Sequence, residues 1–302
     1  MNPDPRTKRL AIVALIVAGA CWGLGFPLGK TALSEMSAAH MVLLRFAFAA
    51  LAAAPFALAR SDVRRLFASP AVLLAGALYG IAFLVQFEGL AHIDVSLAAL
   101  LVGLMPALIA VWARVTGEPV TPLSWTGVAA ATAGAALIAG RPGDAGSPLG
   151  IALSLVALLI FLVWLAALRR APDGPTSLAV PAVTVIVASL VILPIALVMH
   201  GAPSLRYSPA AWAGVAGQGV LATMVATAAW QFGASRVGSA TAGVFINIEP
   251  LLGAVLGVVL FGDRLSWPLA AGGLLIVAGS FVVVLGERSH PPDLAKTPAT
   301  PA

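Results

Sequence analysis

The sequence predicts an all-α integral membrane protein whose ten transmembrane helices form two inverted five-helix repeats. Three observations predict it: an apolar composition, ten long apolar stretches, and two matching halves. The 302-residue chain is 60% hydrophobic and only 10% charged, with a mean hydropathy of +1.01. Soluble domains carry about 25% charged residues. The chain therefore has too little polar surface to be a soluble globule.

Ten stretches are long and apolar enough to span a bilayer as helices, which takes about 20 residues each. The predicted spans are 10–33, 38–58, 71–91, 94–114, 123–140, 148–168, 177–199, 208–233, 238–261 and 266–286. Their continuous apolar character favours helices over the alternating strands of a membrane β-barrel. The first span is too long for the apolar core of a signal peptide, so we expect it to be retained.

The two halves of the chain match at a separation of 144 to 145 residues. Three small residues or prolines of the first half recur after 144 residues, and four more recur after 145: Gly89, Ala98, Pro106, Gly117, Gly127, Ala133 and Gly134 match Gly233, Ala242, Pro250, Gly262, Gly272, Ala278 and Gly279. Because five spans are an odd number, the second repeat must cross the membrane in the opposite sense. Secondary transporters often have this plan, with the substrate site between the halves near the bilayer midplane.

The distribution of basic residues predicts the orientation and the domain organisation. With the N-terminus in the cytoplasm, 12 Lys and Arg residues fall on the cytoplasmic side and 3 on the outer side. This bias is typical of membrane proteins. We expect a cytoplasmic segment 1–9, a first repeat 10–141, a second repeat 147–286 and a disordered cytoplasmic tail 287–302.

Several functional classes are disfavoured by the sequence. The net charge of +5 comes from basic residues scattered through short loops, which argues against a nucleic-acid partner. One cysteine and four histidines without a metal-ligand spacing predict no metal site, no cofactor and no enzymatic activity. Gly25, Gly29 and Lys30 resemble a phosphate-binding loop. However, three residues separate the glycines where the motif needs four, which argues against ATP binding. Ten helices suffice to enclose a cavity within one chain, so we expect a monomer.

Polar and aromatic residues within the spans are the candidate substrate-binding residues. We expect aromatic side chains with a few polar groups to line a cavity that suits an amphipathic solute. The set is Trp22, Tyr79, Phe83, Gln86, Trp164, Gln218, Asn247 and Glu249. For the aromatic residues the alternative is contact with lipid. Glu249 is hypothesised to tune transport through its protonation, and the alternative is a hydrogen bond to a neighbouring helix.

Two further pairs of residues receive structural roles. Pro106 and Pro250 are repeat mates and are predicted to form paired hinges, with simple bends as the alternative. Arg45 and Glu88 lie in the outer parts of adjacent spans, and charges inside a bilayer are costly unless paired. We therefore predict an ion pair between them, with substrate contact by Arg45 as the alternative. Lys30 is expected to extend towards the headgroups.

Several short motifs resemble EamA-type transporters of the drug/metabolite transporter superfamily. They are Trp22-Gly23 with Phe26 and Lys30, Arg45-Phe46 before an Ala-rich run and Pro55, Gly117-Glu118, Glu249-Pro250, and Gly262-Asp263-Arg264-Leu265-Ser266 before Gly272 and Gly279. The resemblance covers about residues 10–286. The chain departs from the pattern at Asp263, where the family usually has Glu, and in lacking a basic residue after Glu118.

The resemblance implies a secondary transporter of small organic solutes in a bacterial inner membrane. Within the family the chain looks most like the YddG-like amino-acid exporters, which implies export of amino acids or related metabolites by alternating access. Its partners would then be a small-molecule substrate and the lipid bilayer. A drug or metabolite exchanger or importer is the alternative, and a membrane-embedded enzyme is a third reading that lacks converging catalytic groups.

Overall fold

A computed structural model describes residues 5–140, 146–237 and 239–288 of the chain. Within these ranges ten helices are long and apolar enough to cross a membrane, and no β-strand is formed. We number them α1 (Pro5–Leu33), α2 (Ala38–Ala59), α3 (Pro70–Ala91), α4 (Val95–Val102 and Met105–Val115), α5 (Pro122–Gly140), α6 (Pro148–Leu168), α7 (Ala179–His200), α8 (Pro209–Val237), α9 (Ser239–Phe245 and Ile248–Phe261) and α10 (Trp267–Arg288).

The ten predicted spans are confirmed, with every helix end within five residues of its predicted position. α10 continues to Arg288, two residues into the segment predicted as a tail. The rest of that tail, residues 1–4 and residues 141–145 lie outside the described residues. Large apolar side chains such as Leu51, Val198 and Val259 are exposed on the outer surface of the bundle. This surface suits contact with lipid rather than water.

The packing of α5 against α10 shows that the two repeats are inverted. A Cβ atom on Gly127 would lie 2.5 Å from the carbonyl oxygen of Gly279, and a Cβ on Gly279 would lie 2.5 Å from the carbonyl oxygen of Gly127. Gly134 and Gly272 approach each other in the same reciprocal way further along the pair. The early residue of one helix meets the late residue of the other, so these repeat mates run antiparallel. Only glycines allow backbones to approach so closely.

The other helix contacts follow the same two-fold relation. α1 packs on α8, and the equivalent helices α6 and α3 pack on each other. The repeat mates α2 and α7 are in contact, as are α4 and α9. Every one of these contacts joins the first half of the chain to the second, so the space between the repeats lies at the centre of the bundle.

α4 and α9 are each interrupted just before the repeat-mate prolines. α4 breaks after Val102, and α9 breaks after Phe245. A proline cannot donate to the carbonyl four residues earlier, and its ring collides with that carbonyl. Tighter turns replace the missing bonds, such as the hydrogen bond from Glu249 N to Ile246 O at 3.2 Å. Both helices are thus interrupted next to Pro106 and Pro250, and the paired hinges predicted there stay a prediction.

Candidate functional site

A cavity lies between the two repeats and is bounded by five helices. Three of them, α1, α2 and α3, belong to the first half of the chain, and α8 and α9 belong to the second. Its lining consists of Trp22, Gly25, Phe26, Arg45, Phe83, Gln86, Phe87, Gln218, Ala222 and Glu249. Its volume of about 40 Å³ gives room for on the order of three waters. The cavity in this structure is therefore too small to hold an amino acid.

The cavity extends from the middle of the bundle towards one end rather than sitting at the midplane. Arg45 is in the second turn of α2, and Phe87 is in the last two turns of α3. Glu249 is near the middle of α9. α2 begins at the end of the bundle where α1 and α3 terminate. The cavity therefore lies nearer to that end than to the other. The cavity lies between the halves, where the substrate site is expected, but it is displaced from the midplane. That it binds the substrate stays a prediction.

Arg45 is the buried cation of the cavity, with a relative exposure of 2%. Its Nε donates a hydrogen bond to Thr223 Oγ1 at 3.0 Å. Its Cζ lies 3.7 Å from the centre of the Phe83 ring, a cation–π arrangement. No carboxylate lies within 4 Å of the guanidinium among the described residues. A buried charge without an ion-pair partner is costly, so this arginine is a strong functional candidate.

A π-helical segment of α8 holds Thr223 in place. The segment covers Val220–Val225 and begins two residues after Gln218 of the cavity wall. Thr223 Oγ1 donates to the carbonyl oxygen of Gln218 at 2.9 Å while it accepts the bond from Arg45. π-helical turns recur at functional sites because the extra residue re-aims side chains. Here the turn connects the backbone of α8 to the cation of α2.

The remaining polar groups leave hydrogen-bonding capacity in the cavity. Gln218 Nε2 donates to the carbonyl oxygen of Gly25, and its Oε1 has no partner among the described residues. Glu249 also lines the cavity, and it forms no ion pair with Arg45 among the described residues. Gln86 is buried in the wall. The cavity thus presents one cation, one carboxyl group and amide groups between aromatic rings.

Five of the eight predicted binding residues line this cavity, and three do not. Trp22, Phe83, Gln86, Gln218 and Glu249 are in its wall. The other three are Tyr79, Trp164 and Asn247. That these residues bind a substrate stays a prediction.

The three outlying residues have neighbours that explain their positions. Tyr79 contacts Phe83 with ring centres 4.9 Å apart, and Trp164 stacks on the far side of Tyr79 at 4.9 Å. These rings form a second layer behind the cavity, and Trp164 Nε1 has no acceptor among the described residues. Asn247 lies at the break of α9, where its Nδ2 donates to Val244 O at 3.4 Å.

Two predictions about charged residues are wrong. Arg45 and Glu88 do not form an ion pair, because Glu88 lies five residues from Phe83 on α3 and therefore points to another face of that helix. Glu88 instead contacts His92 at 3.5 Å near the surface. Lys30 does not extend to the headgroups, since its Nζ donates to the carbonyl oxygens of Leu90 and Ile93, both at 2.8 Å.

Sequence reasoning missed several cavity residues that helical spacing indicates. Phe26 follows Trp22 by four residues, and Phe87 follows Phe83 by four, so each pair shares one face of its helix. Ala222 stands in the same relation to Gln218. Arg45 was assigned to an ion pair, and its position in the cavity supports the alternative of substrate contact.

The comparisons with known proteins agree with this architecture. The model of the EamA-like transporter family matches residues 9–140 and again residues 148–285. The chain is similar to the permease-like protein YdzE of Bacillus subtilis (strain 168), with 29% identity over 66 residues, which is 22% of this chain and 85% of that protein.

A solved crystal structure has the same fold. The two structures superpose with a TM-score of 0.63 at 22% sequence identity. The match covers 93% of this chain and 99% of the chain in the solved structure. The two family matches each enclose five of the ten helices and correspond to the two inverted repeats. The chain therefore belongs to the EamA-like transporter family, and it is a multi-pass membrane transporter of small solutes.

Proposed function

We propose that the chain exports amino acids or related zwitterionic metabolites across the bacterial inner membrane by alternating access. The observation that carries this proposal is the placement of Arg45 and Glu249 in one cavity, with no ion pair between them among the described residues. Two opposite charges that stay apart in a low-dielectric site suit a ligand that carries both charges itself.

Each group of the cavity has a chemical role in this proposal. The Arg45 guanidinium forms paired hydrogen bonds with the carboxylate of the substrate, a geometry that arginine favours. Glu249 accepts the substrate ammonium, and the free Oε1 of Gln218 accepts a further hydrogen bond. Trp22, Phe26 and the rings of α3 contact the apolar part of the solute. Few polar contacts within an apolar wall are typical of small-molecule sites.

The transport cycle requires the cavity to enlarge and then to open to each side in turn. The two repeats would rock around the cavity, as inverted-repeat transporters do. The interruptions before Pro106 and Pro250 are the proposed hinges, because helix hydrogen bonds are already missing there. One chain encloses the cavity, so a monomer is sufficient. The excess of Lys and Arg supports cytoplasmic termini.

The proposal is tested with purified protein in liposomes and a panel of labelled amino acids, with and without a pH gradient. We expect flux above that of empty liposomes for at least one amino acid, and loss of that flux in Arg45→Gln. Absence of flux for every solute tested would contradict the proposal. Glu249→Gln tests proton coupling, since an unchanged rate and pH dependence would exclude that role for Glu249.

The direction of transport needs cells rather than liposomes. Cells that overproduce the protein are expected to accumulate the substrate in the medium and to resist a toxic analogue of it. Faster uptake by the same cells would instead favour an importer or exchanger.

A further inference from the structure

Lys30 joins the end of α1 to the end of α3 directly above the cavity. Its Nζ binds the carbonyl oxygens of Leu90 and Ile93. Phe26 lies four residues before Lys30, and Phe87 lies three residues before Leu90, and both line the cavity. One helical turn rises about 5.4 Å, so this contact lies about one turn from the cavity. It connects α1 and α3 at the end of the bundle that is nearer to the cavity.

Asp263 makes a second connection at the same end, from the second repeat to the first. It lies in the loop between α9 and α10, and its Oδ2 accepts a hydrogen bond from Ser96 N at 2.7 Å. This amide belongs to the first turn of α4, where the helix dipole favours a negative charge. Gly257 makes the contact possible, since a Cβ there would overlap Asp263 Oδ2 and lie 2.5 Å from Ser96 N.

The two connections lie at the same end of the bundle and carry opposite charges. Lys30 provides the cation, Asp263 provides the anion, and Asp94 immediately precedes α4. We call the group formed by Lys30, Asp263, Ser96 N and the carbonyl groups of Leu90 and Ile93 the Lys30–Asp263 layer. It connects α1, α3 and α4 of the first repeat with the α9–α10 loop of the second. Motion of one repeat against the other must break at least part of it.

We propose that the Lys30–Asp263 layer is the gate that closes the cavity at this end of the bundle. In the closed state, charge-assisted hydrogen bonds hold the four helix ends together. When the repeats rock apart, water replaces these bonds and the cavity opens to that side. This proposal rests on the proposed function in one respect, because it takes the cavity behind the gate to be the substrate cavity.

The other end of the bundle supplies a matched control. Glu118 is the repeat mate of Asp263 and lies in the loop that follows α4, the corresponding helix of the first repeat. It forms an ion pair with Arg169 at 2.7 Å, with both side chains about half exposed. This pair lies at the end of the bundle opposite to Lys30. No residue of the cavity wall lies within one helical turn of Glu118 or Arg169 along the chain. Its loss should leave access from the Lys30 end unchanged.

The test measures access to the cavity without any substrate. Cys21 is replaced by Ala, and Ala222→Cys places one thiol in the cavity wall. The rate of labelling by a membrane-impermeant methanethiosulfonate is measured on intact cells and on inverted vesicles, which identifies the side to which each variant opens. Asp263→Asn and Lys30→Met are compared with Glu118→Gln in this background.

We expect Asp263→Asn and Lys30→Met each to raise the labelling rate from one side about tenfold, the factor for one lost hydrogen bond to a charged group. Glu118→Gln should not raise it from that side. If both variants fold, judged by gel filtration and thermal unfolding, but label at the parent rate, the gate is refuted. An equal rise in Glu118→Gln would also refute it, because that indicates general loosening. Labelling needs no solute, so a failed flux assay leaves this result interpretable.

Discussion

Arg45 combines almost complete burial, a cation–π contact and, among the described residues, one side-chain hydrogen bond. These features fix its guanidinium plane and leave its terminal nitrogens for a ligand. Lysine keeps the charge but has neither the planar fork nor the stacking geometry. We therefore expect Arg45→Lys to weaken transport about tenfold or more, as loss of a hydrogen bond to a charged group does. Flux in liposomes measures this.

The control for Arg45 is Arg206→Lys, which changes an exposed arginine in the loop before α8. Its flux should equal that of the unmodified protein. Equal flux in both variants would mean that the guanidinium geometry at Arg45 is irrelevant to transport.

Thr223 positions Arg45 and is not expected to contact the substrate itself. Thr223→Val keeps the shape but removes the hydroxyl that bridges Arg45 and the Gln218 carbonyl. We expect a several-fold rise in the solute concentration needed for half-maximal flux, with a smaller effect on maximal flux. Thr223→Ser retains the hydroxyl and should restore the affinity. If Thr223→Ser and Thr223→Val raise the half-maximal solute concentration equally, the methyl group of Thr223 matters and its hydroxyl bridge to Arg45 does not.

The sequence predicted which residue types line the cavity better than it predicted their partners. Gln86, Gln218 and Glu249 stood out because polar groups inside a bilayer are costly. The pairing of Arg45 with Glu88 failed because sequence gives depth in the membrane but not the rotation of one helix relative to the next. Lys30 was misjudged for the same reason, since its acceptors are backbone carbonyl groups that no side-chain pattern reveals.

At the scale of helices, the close approach of α5 and α10 determines how the ends of the repeats pack. Gly127→Ala places a methyl group 2.5 Å from the Gly279 carbonyl oxygen, so the helices must separate. Overpacking of this kind costs about 1–3 kcal/mol. We expect a lower thermal unfolding temperature in detergent, measured by a thiol-independent fluorescence assay.

Ala129→Val is the control for Gly127→Ala, because Ala129 is exposed on the same helix. Its unfolding temperature should remain that of the unmodified protein. An unchanged unfolding temperature in Gly127→Ala as well would show that α5 and α10 do not pack through this pair of glycines.

The interruptions of α4 and α9 are expected to be hinges of the transport cycle. Pro250→Ala provides an amide that can donate to Ile246 O and so favours a continuous α9. A helix hydrogen bond contributes about 1 kcal/mol, which corresponds to a several-fold slower cycle. Pro106→Ala should act alike because it is the repeat mate. If both single variants are present at normal levels and their flux is unchanged, the prolines bend the helices but do not act as hinges.

Helix positions could be read from the sequence because ten apolar stretches are separated by Pro, Gly and charged residues. The π-helical segment Val220–Val225 could not, because its side chains resemble those of any buried helix. The short helix Ser61–Arg64 between α2 and α3 was also not predicted, since four residues carry too little periodicity. Both depend on tertiary contacts rather than on local preference.

At the scale of the whole molecule, the inverted repeat explains why the cavity is lined by both halves. The spacing of 144 to 145 residues predicted the repeat, and the antiparallel glycine contacts of α5 and α10 bear it out. The symmetry is incomplete at the cavity, where Arg45 of α2 lines the wall and no residue of its repeat mate α7 does. This asymmetry is what an asymmetric ligand such as a zwitterion requires.

The most direct test of zwitterion recognition is competition during counterflow in liposomes. The labelled amino acid found in the panel is challenged with the same unlabelled amino acid, its N-acetyl derivative and its amide. The cavity predicts that only the intact zwitterion competes strongly, because each derivative leaves Glu249 or Arg45 without its partner. Equal competition by all three, or competition that Arg45→Gln leaves unaltered, would contradict the recognition of zwitterions in this cavity.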